Sequence, residues 1–214
     1  MTMIKTCEIF KSIQGESTRA GMPCVFIRLS GCNLSCTYCD TPYAREDGTL
    51  YSIDALAGKV KDYQCNLVLI TGGEPLLQEE TPQLCWKLNN MGCTVLVETN
   101  GSLSLSTLPE GCISIVDVKC PGSGHADSFN MENIRFLRKY DECKMVISDR
   151  NDFDWAMKFV YTHNLHKRCT VIFSPNSKKL KPEVLAEWIL ESNAPVRLGL
   201  QLHKILWGEN ARGV

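Results

Sequence analysis

The chain has 214 residues, 23 of them basic and 24 acidic, for a formal net charge of −1. That balance creates no long-range field for DNA or RNA, so nucleic acid is not an expected partner. Hydrophobic residues make up 44%, enough for a sizeable core, and the length fits one domain over residues 1–214. No apolar run reaches the roughly 18 residues of a membrane helix, so no membrane partner is expected. Met1–Phe10 lacks the basic-then-apolar order of a secretion signal.

Short apolar runs alternate with helix-like stripes. In chain order, strands are predicted at Thr6–Phe10, Cys24–Leu29, Leu67–Thr71, Thr94–Glu98, Ile113–Lys119, Cys143–Ser148, Cys169–Ser174 and Arg197–Leu202. Several are continuous Val/Ile/Leu runs, the pattern of strands covered on both faces of a parallel sheet. One helical stripe comprises Ile53, Leu56, Ala57 and Val60. A second helix begins at Thr81-Pro82, a cap residue followed by proline. Phe153, Ala156, Met157, Val160 and Tyr161 form a third stripe, with Asp152 as its N-cap, and Val184, Leu185, Trp188 and Ile189 a fourth after Pro182. The alternation predicts an α/β fold with a mostly parallel sheet. An incomplete (partial) TIM-like α/β barrel fits the length better than a closed eightfold one, which takes about 250 residues. Active sites of such sheets lie at the carboxyl ends of the strands. The chemically suggestive segments follow predicted strands in this way: Gly31–Thr41, Thr71–Pro75, Glu98–Gly101, Lys119–Gly124, Ser174–Ser177 and His203-Lys204.

Twelve cysteines without a secretion signal point to a reducing cytoplasm, where clustered thiols more often bind metal than form disulfides. Cys32, Cys36 and Cys39 are spaced C-x3-C-x2-C. Thiolates are soft ligands that select zinc, Cu(I) or iron–sulfur clusters. Clusters are usually held by four cysteines; three leave one iron free for another ligand. The alternative is a structural zinc site completed by a distant Cys or His, in a non-catalytic metal-binding module. The other nine cysteines are scattered and read mostly as small buried hydrophobes.

The Cys32/Cys36/Cys39 motif, with aromatic Tyr38 before the third cysteine, resembles the signature of the radical S-adenosylmethionine superfamily. Thr71-Gly72-Gly73-Glu74-Pro75 resembles the superfamily's methionine-binding motif. The two glycines allow close backbone approach to a ligand, and the Glu74 carboxylate can accept from an ammonium group. The resemblance implies a 4Fe-4S cluster on the three cysteines. It also implies an S-adenosyl-L-methionine site formed by Tyr38, Asp40, Gly72, Gly73, Glu74, Glu98, Lys119, Ser174, Pro175, Asn176 and Ser177. Taken alone, the strand-end segments fit ordinary turn and loop chemistry equally well.

The start Ile13-Gln14-Gly15-Glu16, the Asp40-Thr41 step and the terminal Gln201-Leu202-His203-Lys204 narrow the resemblance. Together they are similar to the 7-carboxy-7-deazaguanine synthase family, from about Glu8 to Val214. That resemblance implies a lyase of queuosine and deazapurine biosynthesis, upstream of tRNA modification. Such an enzyme contracts the ring of 6-carboxy-5,6,7,8-tetrahydropterin with loss of ammonia, and the adenosyl radical rather than a protein side chain does the chemistry. Substrate contacts would come from Ile13, Gln14, Gly15, Glu16, Arg28, Thr71, His203 and the terminal carboxylate of Val214. Thr41 would ligate Mg2+, an oxygen-seeking ion that keeps several waters. A homodimer and a flavodoxin or ferredoxin electron donor are implied too. Chemically, Arg28 offers a planar fork suited to a carboxylate, and Gln14 can read a heterocycle edge; as alternatives, Arg28 is a salt-bridged strand residue and His203 a satisfied core histidine. Ser17 departs from the glycine common in the family, and Cys120–Gly124 is a variable stretch. The second enzyme reading is a glycyl-radical enzyme activase, which would need an open groove for a peptide loop.

Overall fold

Residues rich in Val, Ile and Leu at consecutive positions build the centre of the molecule, a nine-stranded sheet. The computed structural model describes residues 2–208 and 211–214. The strands are β1 (Met3–Ile13), β2 (Pro23–Leu29), β3 (Thr49–Ser52), β4 (Leu67–Gly72), β5 (Thr94–Thr99), β6 (Cys112–Asp117), β7 (Glu142–Ile147), β8 (Thr170–Pro175) and β9 (Arg197–Leu198). Their order is β3-β1-β2-β4-β5-β6-β7-β8-β9. β1 pairs antiparallel with both β2 and β3, and every pair from β2 to β9 is parallel. The sheet is not closed into a barrel: β3 and β9 are its two edges. No described helix is long and apolar enough to cross a membrane.

The helices are α1 (Ile53–Asp62), α2 (Thr81–Asn90), α3 (Arg150–Thr162), α4 (Leu165–Arg168), α5 (Pro182–Ser192) and α6 (Leu202–Trp207). The Ser52 side chain caps α1 by accepting from the Ala55 amide, and Ile53, Leu56, Ala57 and Val60 form its buried stripe. Two caps differ from the sequence reading. Thr81 is already helical, and its hydroxyl donates to the Pro75 carbonyl at 2.6 Å instead of capping α2. Asp149, not Asp152, caps α3; Asp152 lies a turn further in and accepts from the Gly122 and Ser148 amides.

Strand alternation divides the core. Val25, Ile27 and Leu29 of β2, Val68 and Ile70 of β4, and Val95 and Val97 of β5 pack with the stripes of α1 and α2. Cys143, Met145 and Ile147 of β7 and Val171 and Phe173 of β8 pack with Phe153, Ala156 and Val160 of α3. The opposite, inner face carries Phe26, Leu69, Leu96, Ile113 and Ile115, and Phe10 of β1 stacks on Phe26 at 4.9 Å between ring centroids. Each such side chain, fully buried, contributes about 1.5–3 kcal/mol.

Candidate active site

The inner face changes character along the strands. Phe26, Leu69 and Leu96 form an apolar row, and one step towards the carboxyl ends come Arg28, Thr71 and Glu98, with Arg28 opposite Thr71. On the next strands Asp117 stands opposite Lys144. Polar rungs above an apolar floor are the expected layout of a ligand site at the carboxyl edge of such a sheet. The polar rungs, with Phe26 and Leu69 of the floor, line a cavity of about 540 Å³.

Cys32, Cys36 and Cys39 lie on that cavity wall, all half-buried and none in a disulfide. Their loop is anchored from several sides. Asn33 bridges Ser102 and Asn100, the Ser35 amide donates to the His125 ring, and the Thr37 hydroxyl donates to the Gly122 carbonyl. The variable stretch after Lys119 is therefore the bed on which the cysteine loop rests. Burial pushes the Cys36 thiol above its ordinary range; Lys119 acts against that, while Asp117 and the other two cysteines reinforce it. Among the described residues no three His, Cys, Asp or Glu side chains converge as on a single ion.

The glycines beside this loop are there because of close approach. Gly72 has φ of +148°, and a Cβ on it would lie 2.2 Å from the Leu29 carbonyl oxygen. A Cβ on Gly73 would lie 2.1 Å from the Gly31 oxygen and 2.7 Å from Cys32 Cβ. Glu74, by contrast, does not line the cavity. Its side chain is fully buried and accepts from the Leu76 amide, the Thr99 hydroxyl and the Asn100 amide. Burial pushes its carboxyl up, against three donors that favour the charged form. In this structure the carboxylate expected to accept from an ammonium group ties the β4 and β5 ends together.

Most other expected residues line the same cavity. Tyr38, Asp40, Glu98, Lys119, Asn176 and Ser177 do so, as do Ile13, Gln14, Gly15, Glu16, Arg28, Thr71, His203, Thr41 and Val214. Ser174 and Pro175 do not. Both belong to β8, and a Cβ on Gly199 would lie 2.6 Å from Ser174 Oγ, so the chain after α5 covers that serine. His203 packs on Gly15 so closely that a Cβ there would lie 2.3 Å from its Nδ1.

A charged network joins the walls. Lys144 Nζ donates to Glu16 Oε2 at 2.8 Å and Glu98 Oε1 at 2.5 Å, and lies 3.6 Å from Asp117 Oδ2. Lys119 donates to the same Asp117 oxygen at 2.9 Å. Gln201 Nε2 donates to Glu16, and Lys204 donates to Gln201 Oε1. Burial alone would lower the Lys144 ammonium, but Glu16, Glu98 and Asp117 hold it well above the usual lysine range. Burial would raise Glu16; Lys144 and Gln201 outweigh it and hold the carboxyl down at about 2. On the other side, Arg28 Nε donates to Glu8 Oε1 at 2.6 Å, and Tyr43 Oη donates to the same oxygen at 2.9 Å. Among the described residues nothing else takes the outer guanidinium nitrogens, which form a fork open to a ligand. The Arg212 guanidinium lies 3.8 Å from the Tyr43 ring centroid and holds the C-terminal residues on the cavity.

Lys144 and Glu8 were not singled out from sequence. A lysine within the strand Glu-Cys-Lys-Met-Val-Ile, in a sheet covered on both faces, was the available signal.

Residues 26–117 match the profile of the Radical SAM superfamily. Fold, thiol set and profile together define a radical S-adenosylmethionine enzyme. The chain is 44% identical to 7-carboxy-7-deazaguanine synthase of Koribacter versatilis, over 97% of this chain and 98% of the relative. It is 42% identical to the protein of that name from Chlorobaculum tepidum, over 97% and 96%. The chain belongs to the 7-carboxy-7-deazaguanine synthase family. Its fold matches the crystal structure of QueE from Escherichia coli with a TM-score of 0.78 at 21% identity, over 93% of this chain and 94% of that one.

The cavity suits the two groups that the superfamily implies. Tyr38 Oη and Asp117 Oδ1 belong to lining residues and are buried with no hydrogen-bond partner among the described residues. Such orphaned atoms await a polar ligand. Cys32, Cys36 and Cys39 would hold the cluster, and Tyr38, Asp117, Lys119 and the Gly72-Gly73 backbone would face S-adenosylmethionine.

Proposed function

We propose that the protein converts 6-carboxy-5,6,7,8-tetrahydropterin to 7-carboxy-7-deazaguanine with loss of ammonia, in deazapurine biosynthesis. One observation carries the reading: a single cavity joins the three thiols to a wall with two carboxylates, Glu16 and Glu98, and a free arginine fork at Arg28. When bound, the reduced cluster and S-adenosylmethionine supply a hydrogen-abstracting adenosyl radical.

The chain's own residues bind and orient. Arg28, aimed by Glu8 and Tyr43, takes the substrate carboxylate as a bidentate pair. Glu98, expected from sequence on the S-adenosylmethionine side, is joined to Glu16 through Lys144 and is assigned here to the substrate with it. Both are acceptor-only when ionised and receive the amine and ring N–H donors of the pterin edge. Gln14, 3% exposed, and the Ile13–Gly15 backbone continue that edge, with Thr71 and His203 beside it. Thr41 precedes a short 3-10 helix, yet its side chain makes no cap hydrogen bond. Its hydroxyl is therefore available to Mg2+, which would hold the substrate carboxylate from the other side. The residues Ala211–Val214 lining the cavity exclude water and bring Val214 towards the substrate. They also narrow the site against a peptide loop, which favours a small molecule over a glycyl-radical partner. The volume lies within the ~300–1,000 Å³ of small-molecule sites. We further propose a flavodoxin or ferredoxin as electron donor and a homodimer that covers an exposed sheet edge.

The test is anaerobic reconstitution with iron and sulfide, reduction, and assay with S-adenosylmethionine, the pterin and Mg2+. Formation of 7-carboxy-7-deazaguanine without matching loss of S-adenosylmethionine is the expected result. Cleavage of S-adenosylmethionine without pterin turnover would overturn the substrate assignment.

A further inference from the structure

Lys144 comes from the middle of β7, whose neighbours Cys143 and Met145 point to the helix side. Its side chain is 6% exposed, and it donates two hydrogen bonds to the cavity wall and faces a third carboxylate there. The two acceptors line the cavity from different parts of the fold: Glu16 from the loop after β1, and Glu98 from β5. Asp117 on β6 stands 3.6 Å away as an ion-pair neighbour. Three carboxylates on one buried wall repel one another, and the cheapest relief is to protonate one of them or turn it away. A protonated carboxyl becomes a donor. A shared ammonium removes that option and fixes how the remaining lone pairs of the carboxylate oxygens are aimed. Glu16 gives Oε2 to Lys144 and Oε1 to Gln201; Glu98 gives Oε1 to Lys144 and Oε2, at 3.4 Å, to the Thr71 hydroxyl. The groups facing the pair are Lys144, Gln201 and His203 for Glu16, and Lys144 and Thr71 for Glu98.

We propose that Lys144 is a positioning residue for substrate specificity: it holds Glu16 and Glu98 as paired acceptors, so that the site selects a heterocycle presenting an exocyclic amine beside a ring N–H. The inference rests on the pterin reading above and names the residue on which selection depends. Lys144 touches the substrate only through the two carboxylates. It therefore sets discrimination at the amine edge and not recognition of the substrate carboxylate at Arg28.

The experiment compares the pterin with its 2-desamino analogue, in wild type, Lys144→Met and Lys144→Arg holoenzymes. The readouts are equilibrium binding in the presence of S-adenosylmethionine and the split between KM and kcat. Wild type is expected to prefer the pterin by about 10- to 100-fold, the size of a hydrogen bond to a charged group. In Lys144→Met the preference is expected to fall to within about threefold of unity, through KM, because one carboxylate is protonated or displaced. Lys144→Arg keeps the charge without the geometry and is expected to give an intermediate ratio; it carries the test if the methionine variant does not fold. Equal weakening of both ligands, with the preference kept, would overturn the proposal and leave Lys144 a structural residue. Failure of the wild type to bind either pterin would instead overturn the substrate assignment, a separate outcome. The spectroscopic response of the reduced cluster to S-adenosylmethionine is expected to persist in both variants, since Lys119 alone still holds Asp117.

Discussion

Removing the Glu74 carboxylate tests whether this residue is a tie or a ligand. Its Oε1 accepts from the Leu76 amide at 2.9 Å and the Thr99 hydroxyl at 2.8 Å, and its Oε2 from the Asn100 amide at 2.7 Å. The side chain is 0% exposed, so Glu74→Ala strands three donors in a dry site. At about 1–3 kcal/mol per buried unsatisfied group, with partial rescue by water entering the space, the loss is expected to be about 3–5 kcal/mol. In Glu74→Gln the amide oxygen can serve Leu76 and Thr99, but its NH2 then faces the Asn100 N–H, donor against donor, at a cost of about 2 kcal/mol. The Glu74 amide also donates to the Gly31 carbonyl at 2.7 Å, one residue before Cys32, so loosening here reaches the cysteine loop. Anaerobic urea denaturation measures the first effect and iron content per chain the second. If Glu74→Gln keeps wild-type stability and iron but no longer binds S-adenosylmethionine, the carboxylate is a ligand and the reasoning fails.

Gly73→Ala is expected to cost about 1–3 kcal/mol by overpacking and to lower iron retention on gel filtration, because the methyl would meet the Gly31 backbone and Cys32. Arg28→Lys removes the planar fork and is expected to raise KM for the pterin about tenfold or more with a smaller change in kcat; Glu8→Gln is expected to move KM in the same direction by steady-state assay. Asp141 accepts from the Ser114 amide and from the Arg138 amide and guanidinium. Asp141→Asn is therefore expected to cost about 2–4 kcal/mol in urea while leaving kcat/KM unchanged. Glu16 has its folded pKa below the ordinary 4.5, at about 2. Its contribution is thus present above about 4.5 and lost as pH falls towards about 2; calorimetry should show roughly 2–3 kcal/mol of acid-dependent stability in wild type that is absent in Glu16→Gln.

Much of the fold was legible from strand-length apolar runs, because burial on both faces leaves no alternation to misread. Direction was not legible: nothing in Met3–Ile13 marks β1 as antiparallel to β2, since side-chain period is the same in both senses. Strand β3 was missed because Thr49–Ser52 is short and its first two residues are exposed. The run predicted over Arg197–Leu202 ends at Leu198; the Gly199 amide still donates to the Phe173 carbonyl, and Leu202 begins α6. The cysteine loop stood out because thiol spacing is local. Lys144 did not, because its meaning lies in Glu16, Glu98 and Asp117, which come from three other parts of the chain.

The remaining thiols bear on how the protein is matured. Cys24, Cys85, Cys112, Cys120, Cys143 and Cys169 are buried. Burial pushes Cys24 and Cys169 up to about 12, and Cys120 and Cys143 well above the ordinary range. A protonated, inaccessible sulfur is a poor nucleophile and a poor ligand. Packing thus acts as a protecting group. An assembly factor delivering iron and sulfide, or an oxidant, meets a chain rich in cysteine but with half its thiols shielded: the three cavity thiols, with Cys7, Cys65 and Cys93, are the half-buried ones left to react.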